Sequence, residues 1–293
     1  MSEYMLMVDS GADLSLDYLK KHADQLAMIP ITYTLDGTEY ADDAGQTLGH
    51  TEFYAKLRSG SKSTTAMINT AAYSAEFSKI LDQGKDLIYL ALSSGISGSY
   101  SAAAMTGEEL KAKYPDRSIY IVDSLGASLG IGVLAHAALA KKAEGMSVGA
   151  LAQWLEEAKH RLCHLFTVSD LMHLQRGGRI SRSTAIMGSI IGVKPMLDVD
   201  INGKLQSRSK VRGRRQALEA LVAWMDRLTE GESLECVGVS HGDCEDDARY
   251  VMEIIKRNYK VQDAMITTIG PVIGTHSGPG TVALFFFGKA RVD

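Results

Sequence analysis

The sequence predicts an α/β protein of two lobes, an N-terminal mostly parallel sheet with flanking helices and a C-terminal α+β lobe. Three observations carry that reading. Through the first half, short apolar runs alternate with segments of helical spacing, the pattern of βα units. The second half places Asn202-Gly203 between two strand-like runs, a strong short-range hairpin signal. The chain has 293 residues, more than one modest domain needs. A boundary is expected near residue 157, dividing the chain into 1–157 and 158–293.

In order, residues 4–8 read as a strand ending in Asp9-Ser10-Gly11, and 14–22 have helical spacing. A strand is expected over 26–34, with a hairpin-like turn at Asp36-Gly37. Helices follow over 50–58 and 70–82. The uninterrupted apolar run 86–92 has the length and composition of a buried strand. After a serine-glycine loop over 93–99, an alanine-rich helix runs to about Lys113. The strand over 118–122 ends in Asp123-Ser124 and leads to helices over 126–142 and 147–161. In the second half a strand over 165–168 precedes a helical turn and Arg176-Gly177-Gly178-Arg179. A helix is expected over 181–191, then hairpin strands over 195–201 and 204–210. Helices over 214–228 and 245–258 alternate with strands over 234–240 and 263–269. A glycine-rich loop over 270–280 leads to a last apolar strand, 282–287.

Composition narrows the function. Hydrophobic residues make up 45% of the chain, enough for a core that needs neither disulfides nor metal. Cys163, Cys236 and Cys244 are odd in number and lack metal-ligand spacing, which suits reduced thiols in a cytoplasmic protein. A net charge of -4 disfavours general nucleic-acid binding. The start of the chain reaches Asp9 after a short apolar run, unlike a signal peptide. The longest uncharged stretch, 124–140, is broken by Gly126, Gly130, Gly132 and His136, so no stable membrane insertion is expected.

The loop Ser93-Ser94-Gly95-Ile96-Ser97-Gly98-Ser99 leaves the carboxyl end of a buried strand, where α/β sheets bind ligands. Its free N–H groups, serine hydroxyls and close-approaching glycines suit an anion, although the same pattern also caps a helix. It lacks the P-loop lysine and does not fit GxGxxG. Ser63-Thr64-Thr65 is a second hydroxyl cluster that fits either a carboxyl group or a helix start. A serine hydrolase acting on acyl esters is the enzymatic alternative, with Ser97 as nucleophile, His276 as base and Asp9 or Asp123 as orienter. The segment from His241 to Asp247 matches no standard zinc or calcium loop and reads as an acidic helix start. Two basic groups, Arg176/Arg179/Arg182 and Arg208/Lys210/Arg212/Arg214/Arg215, form either a solvated face or a docking surface. Used on DNA, they would instead serve a regulator.

Taken in order, these pieces resemble the DegV family. The resemblance is carried by Val8-Asp9-Ser10-Gly11-Ala12-Asp13, Thr64-Thr65-Ala66-Met67-Ile68-Asn69, the run from Ser93 to Tyr100 and Val122-Asp123-Ser124. It continues through Leu174-Gln175-Arg176-Gly177-Gly178-Arg179, Lys194-Pro195, Val211-Arg212-Gly213-Arg214, Ser240-His241-Gly242-Asp243 and the stretch from Ile269 to Gly280. The resemblance implies a two-lobed α/β protein that holds one long-chain fatty acid in an internal tunnel and has no further cofactor. Several members serve as the acyl-binding subunit of bacterial fatty acid kinase, in which a separate ATP-dependent subunit phosphorylates the carboxylate. By that likeness Thr65 and Ser97 would hold the carboxyl group, Thr64, Ser93 and Ser94 would support it, and His276 would lie near the head group. Arg176 and Arg208 would face the kinase. Many members carry Ser or Gln and Pro after the threonine where this chain has Ala66-Met67-Ile68, so both Thr64 and Thr65 are candidates.

Overall fold

The computed structural model describes residues 3–169, 171–181, 192–231, 233–289 and 291. Strands β1 (Tyr4–Asp9), β2 (Leu26–Ile29), β6 (Asp86–Ala91) and β7 (Ile119–Asp123) form a wholly parallel sheet in the order β2-β1-β6-β7. Every residue of β1 and β6 is buried, which is why these runs show no polar alternation. The expected strand over 26–34 is two strands. Pro30 supplies no N–H, and the chain leaves the parallel sheet there; the next free amide, Ile31 N–H, donates to Ser10 Oγ at 3.0 Å. Strand β3 (Thr32–Leu35) then joins β4 (Thr38–Ala41) and β5 (Ser63–Thr65) in a small antiparallel sheet. Asp36 and Gly37 both take positive φ, 49° and 85°, as a tight hairpin turn requires.

Helices α1 (Leu16–Lys21), α2 (His50–Arg58), α3 (Thr70–Leu81), α4 (Ser99–Lys113), α5 (Leu129–Ala143) and α6 (Val148–Ala158) flank these sheets. α5 begins three residues later than the helix expected from 126, because Leu125 and Ser128 adopt positive φ.

Strands β8 (Leu162–Thr167), β9 (Val193–Val199), β10 (Leu205–Arg212), β11 (Ser233–His241), β12 (Lys260–Thr268) and β13 (Val282–Phe287) form a second sheet, ordered β10-β9-β8-β13-β11-β12. All its pairs are antiparallel except β11 with β12. The hairpin at Asn202-Gly203 has a wider connection than a two-residue turn. Residues 200–204 link the strands, and the Asp200 carboxylate accepts from the N–H groups of Asn202 and Lys204 at 2.9 and 3.0 Å.

Helices α7 (Met172–Arg176), α8 (Arg214–Leu228), α9 (Glu245–Asn258) and α10 (Pro271–Ser277) complete the description. α10 lies where the sequence suggested only a glycine-rich loop; Pro271 opens it, and Gly278 closes it at φ 78°. The helix expected over 181–191, apart from Ser181, and Arg182 lie outside the described residues.

Buried from Leu129 to Ala135, α5 touches strands of both large sheets, so one core runs between them. Gly238 on β11 permits that approach: a Cβ there would stand 2.7 Å from Val133. On the far face of the second sheet, α8 and α9 cover a separate apolar cluster centred on Leu221 and Val251. The proposed division near 157 falls at the end of α6, after the last strand of the wholly parallel sheet and before β8.

Candidate functional site

The 93–98 loop emerges from β6 and opens α4, as its sequence suggested. Its hydroxyls do different work. Ser93 is fully buried, and its Oγ donates to the Gly203 carbonyl at 2.8 Å, tying the loop to the 200–204 turn. Gly95 sits against the same turn, where a Cβ would stand 2.5 Å from the Gly203 oxygen. Ser94 is exposed, and its N–H donates to Asp123 at 3.1 Å. Neither Ser93 nor Ser94 lines the main cavity, whereas Ser97 does.

Ser97 is held by a chain of buried hydroxyls. Its Oγ donates to Ser99 Oγ at 3.0 Å and accepts from Ser99 N–H at 3.2 Å. Ser99 hydrogen-bonds Tyr73, Tyr73 pairs with Tyr89 at 3.0 Å, and Tyr89 donates to Asp9 at 2.8 Å. Asp9 also accepts from the N–H groups of Leu92 and Gly11, so its carboxyl anchors one end of the network to the ends of β1 and β6. Every polar group along it has a partner, which is the condition under which such a buried network rigidifies.

Opposite Ser97 stand β5 and α10. Ser63 Oγ meets Thr275 Oγ1 at 2.7 Å, and Thr65 Oγ1 meets His276 Nε2 at 2.8 Å. Strand alternation thus aims Ser63 and Thr65 at α10, and leaves Thr64 exposed at an outer cleft. Burial, and then the nearby charges of Arg179 and His173, lower the His276 pKa to about 4, so the imidazole is neutral at pH 7. Its Nδ1 is buried without a hydrogen-bond partner. A Cβ at Gly177 would fall 2.1 Å from that Nδ1, so only glycine lets the 176–179 turn lie across the ring.

That turn delivers Arg179, which the sequence placed merely in a basic group. Its Nε donates to the Ile96 carbonyl at 3.2 Å and another guanidinium N–H to the Gly177 carbonyl. Arg179, Thr65 and His276 line both the main cavity and the outer cleft, so they mark the passage between them. Behind them the cavity comprises about 910 Å³ of space not filled by protein atoms, solvent at its mouth included. Its deeper walls include Phe166, Leu174, Val199, Leu205, Ala283 and Phe285.

Arg176 is exposed on α7 and borders the outer cleft with Lys62. Arg208, on edge strand β10, directs Nε to both carboxylate oxygens of Asp198, at 2.9 and 3.0 Å. The hydrogen bonds of a Ser97–His276–Asp triad are not formed among the described residues. Ser97 pairs with Ser99 and His276 with Thr65, while Asp9 and Asp123 accept from other groups. Glu245, Asp246 and Asp247 do occupy the first turn of α9, and no metal-binding group occurs among the described residues. Nor is any described helix long and apolar enough to cross a membrane. Sequence places Ser99 in the hydroxyl loop and Arg179 in a basic group, but the roles of both, and of Tyr73 and Tyr89, depend on contacts between distant segments.

The DegV family model, described as that of an uncharacterised protein, matches residues 4–289. A DegV domain-containing protein of Clostridium perfringens is 38% identical over 291 residues, covering 99% of each chain. A Thermotoga maritima protein whose structure revealed a fatty acid binding function is 27% identical, with TM-score 0.86 over 99% of this chain and 100% of that one. The Streptococcus pneumoniae Fatty Acid Kinase (Fak) B3 protein, solved loaded with linoleic acid, shares the fold. Its TM-score is 0.86 at 16% identity, over 98% of this chain and 100% of that one. On the full-length family match and the clostridial relative, this chain belongs to the DegV family.

Proposed function

We propose that the protein binds one long-chain fatty acid non-covalently and presents its carboxylate to a separate ATP-dependent kinase, acting in the cytoplasm. The observation that carries this reading is the composition of the cavity, whose lining is mostly apolar but includes Thr65, Ser97, His276 and Arg179. Hydroxyls and a neutral imidazole orient a carboxyl group, and a single guanidinium balances its charge. Each buried methylene contributes ~0.8 kcal/mol, so a C16 tail offers up to roughly 12 kcal/mol before the costs of association. The tail supplies affinity and the head group supplies position. Fatty acid binding by the Thermotoga protein supports the ligand class, and the fold shared with the Fak B3 protein is compatible with a kinase partner.

In the proposed reaction a carboxylate oxygen bonds to the γ-phosphorus of ATP and ADP leaves, giving an acyl phosphate. The kinase supplies ATP and the transfer chemistry, while this chain holds the acceptor oxygen at the cleft bordered by Lys62 and Arg176. Thr65 is the carboxyl contact we favour over Thr64, because Thr65 lines the cavity and Thr64 does not. Ser93 and Ser94 act behind it by holding the loop. The test is isothermal titration of fatty acid into delipidated protein, with Thr65→Val and Ser97→Ala alongside. One-to-one binding weakened by both substitutions is expected. A fluorophosphonate adduct on Ser97 with ester turnover would favour the hydrolase instead.

A further inference from the structure

Two carboxyl groups converge on the start of α10, in a cavity distinct from the one proposed to hold the fatty acid. Asp13 Oδ1 accepts from Gly270 N–H at 2.8 Å, and Asp42 Oδ2 accepts from Val272 N–H at 3.3 Å. Both side chains are buried, and a Cβ at Gly270 would stand 3.0 Å from an oxygen of each. Glycine at 270 therefore lets both carboxyls close on one point of backbone. Ser128 donates to the other oxygen of Asp13, and Ser10, which also accepts from Ile31 N–H, donates to Asp42. From Gly270 the chain runs directly into the helix that bears Thr275, His276 and Ser277.

We infer that Asp13 and Asp42 are positioning residues, a buried carboxyl pair that sets the helix of His276 and makes fatty-acid retention fall as pH rises. This rests on the proposed fatty-acid site. Burial strips a carboxylate of its hydration, and two carboxylates near one point of backbone also repel when both are ionised, so the compact arrangement favours the protonated forms. The titratable groups facing the pair are Asp9 from β1, Asp43 beside it, Tyr33 from β3, and His50 and Tyr54 from α2. None is a cation at neutral pH, since burial lowers the His50 pKa below its ordinary value. Burial raises both carboxyl pKa values, Asp42 to about 7. A polar cavity lined by Asp13, Asp42, His50 and Thr267 lies against the pair and gives protons a path. Thr267 is buried and its Oγ1 has no protein partner, as expected where water enters.

The sign follows from burial, the first cause of both raised pKa values. Ionisation of a buried carboxyl draws water in, loosens Gly270 and Val272, shifts α10 and disturbs the Thr65–His276 pair, so retention weakens as pH rises. One linked proton allows at most about a tenfold change per pH unit. The experiment measures palmitate dissociation from the full-length protein between about pH 5 and about pH 8, for the wild type and Asp42→Asn. Asparagine keeps an oxygen for Val272 N–H but cannot ionise. The wild type should release palmitate progressively faster as pH rises to about 7 and level off above it, and Asp42→Asn should not. Equal pH profiles for the two proteins would overturn the inference while leaving the fatty-acid site intact. A wild type that holds no palmitate at any pH would overturn the proposed function instead. Amide resonances of Gly270 and Val272 in the wild type provide a reading that needs no variant. They should titrate with the same midpoint as retention, and amides that stay fixed across that range would contradict the pair.

Discussion

His276 accepts a constrained state: neutral, with one nitrogen on Thr65 and the other covered by Gly177. Its pKa is lowered from 6.5 to about 4, so the neutral ring contributes stability above the ordinary value. That contribution is lost as pH falls through about 4. Thermal melts should show the midpoint falling between these values, with a shallower slope in His276→Gln. Identical slopes would remove His276 from the acid response. Among the described residues lining the cavity, Arg179 alone carries a full charge, so Arg179→Ala should weaken fatty-acid binding more than Ser97→Ala does. A lost hydrogen bond to a charged group is worth about 1.5–3 kcal/mol, roughly ten- to a hundredfold in affinity. Calorimetry on the two variants decides the order. The serine and threonine clusters were legible in the sequence as runs of neighbouring hydroxyls that suit an anion as well as a helix start. Arg179 was not, because its partner carbonyl belongs to Ile96, far away in the chain.

At the scale of elements, the site depends on short pieces docking against long ones. Gly95 lets the 93–98 loop touch the 200–204 turn, and a methyl there would collide with backbone rather than with a side chain that can move. Gly95→Ala should therefore destabilise by about 1–3 kcal/mol, the usual range for overpacking. Differential scanning calorimetry should register a drop of several degrees, about 2–4 °C for each kcal/mol. An unchanged melting temperature would mean that the two loops part without consequence. The long elements were legible: β1 and β6 announce themselves as unbroken apolar runs, and α9 by its acidic first turn. The three residues of β5 are too few to show a period, and they become a strand only because β3 lies alongside. In α10, glycine and proline disguise a helix whose start is fixed by tertiary hydrogen bonds from Gly270 and Val272.

For the whole molecule, the proposed role requires that holding a ligand and meeting a kinase be separable. Arg176 is exposed at the cleft, so Arg176→Ala should leave bound fatty acid in place and slow acyl-phosphate formation by a cognate kinase, more strongly at low salt. Arg208 is a less clean probe of docking. Its guanidinium is paired with Asp198, whose side chain is only 8% exposed. Arg208→Ala should thus lower thermal stability, by about 1–3 kcal/mol for the carboxylate left without its partner, in addition to any kinase defect. Equal stability of both variants would show that the Asp198 pair is dispensable and return Arg208 to the docking surface alone. The central claim, that the apolar cavity holds a fatty acid, is tested most directly by native mass spectrometry of the purified protein, followed by denaturation and extraction into organic solvent. One long-chain fatty acid per chain, present in the native mass and absent from the denatured one, is the predicted result. A chain that remains unliganded after incubation with long-chain fatty acids, or an acyl group that survives denaturation as an ester on Ser97, would contradict it.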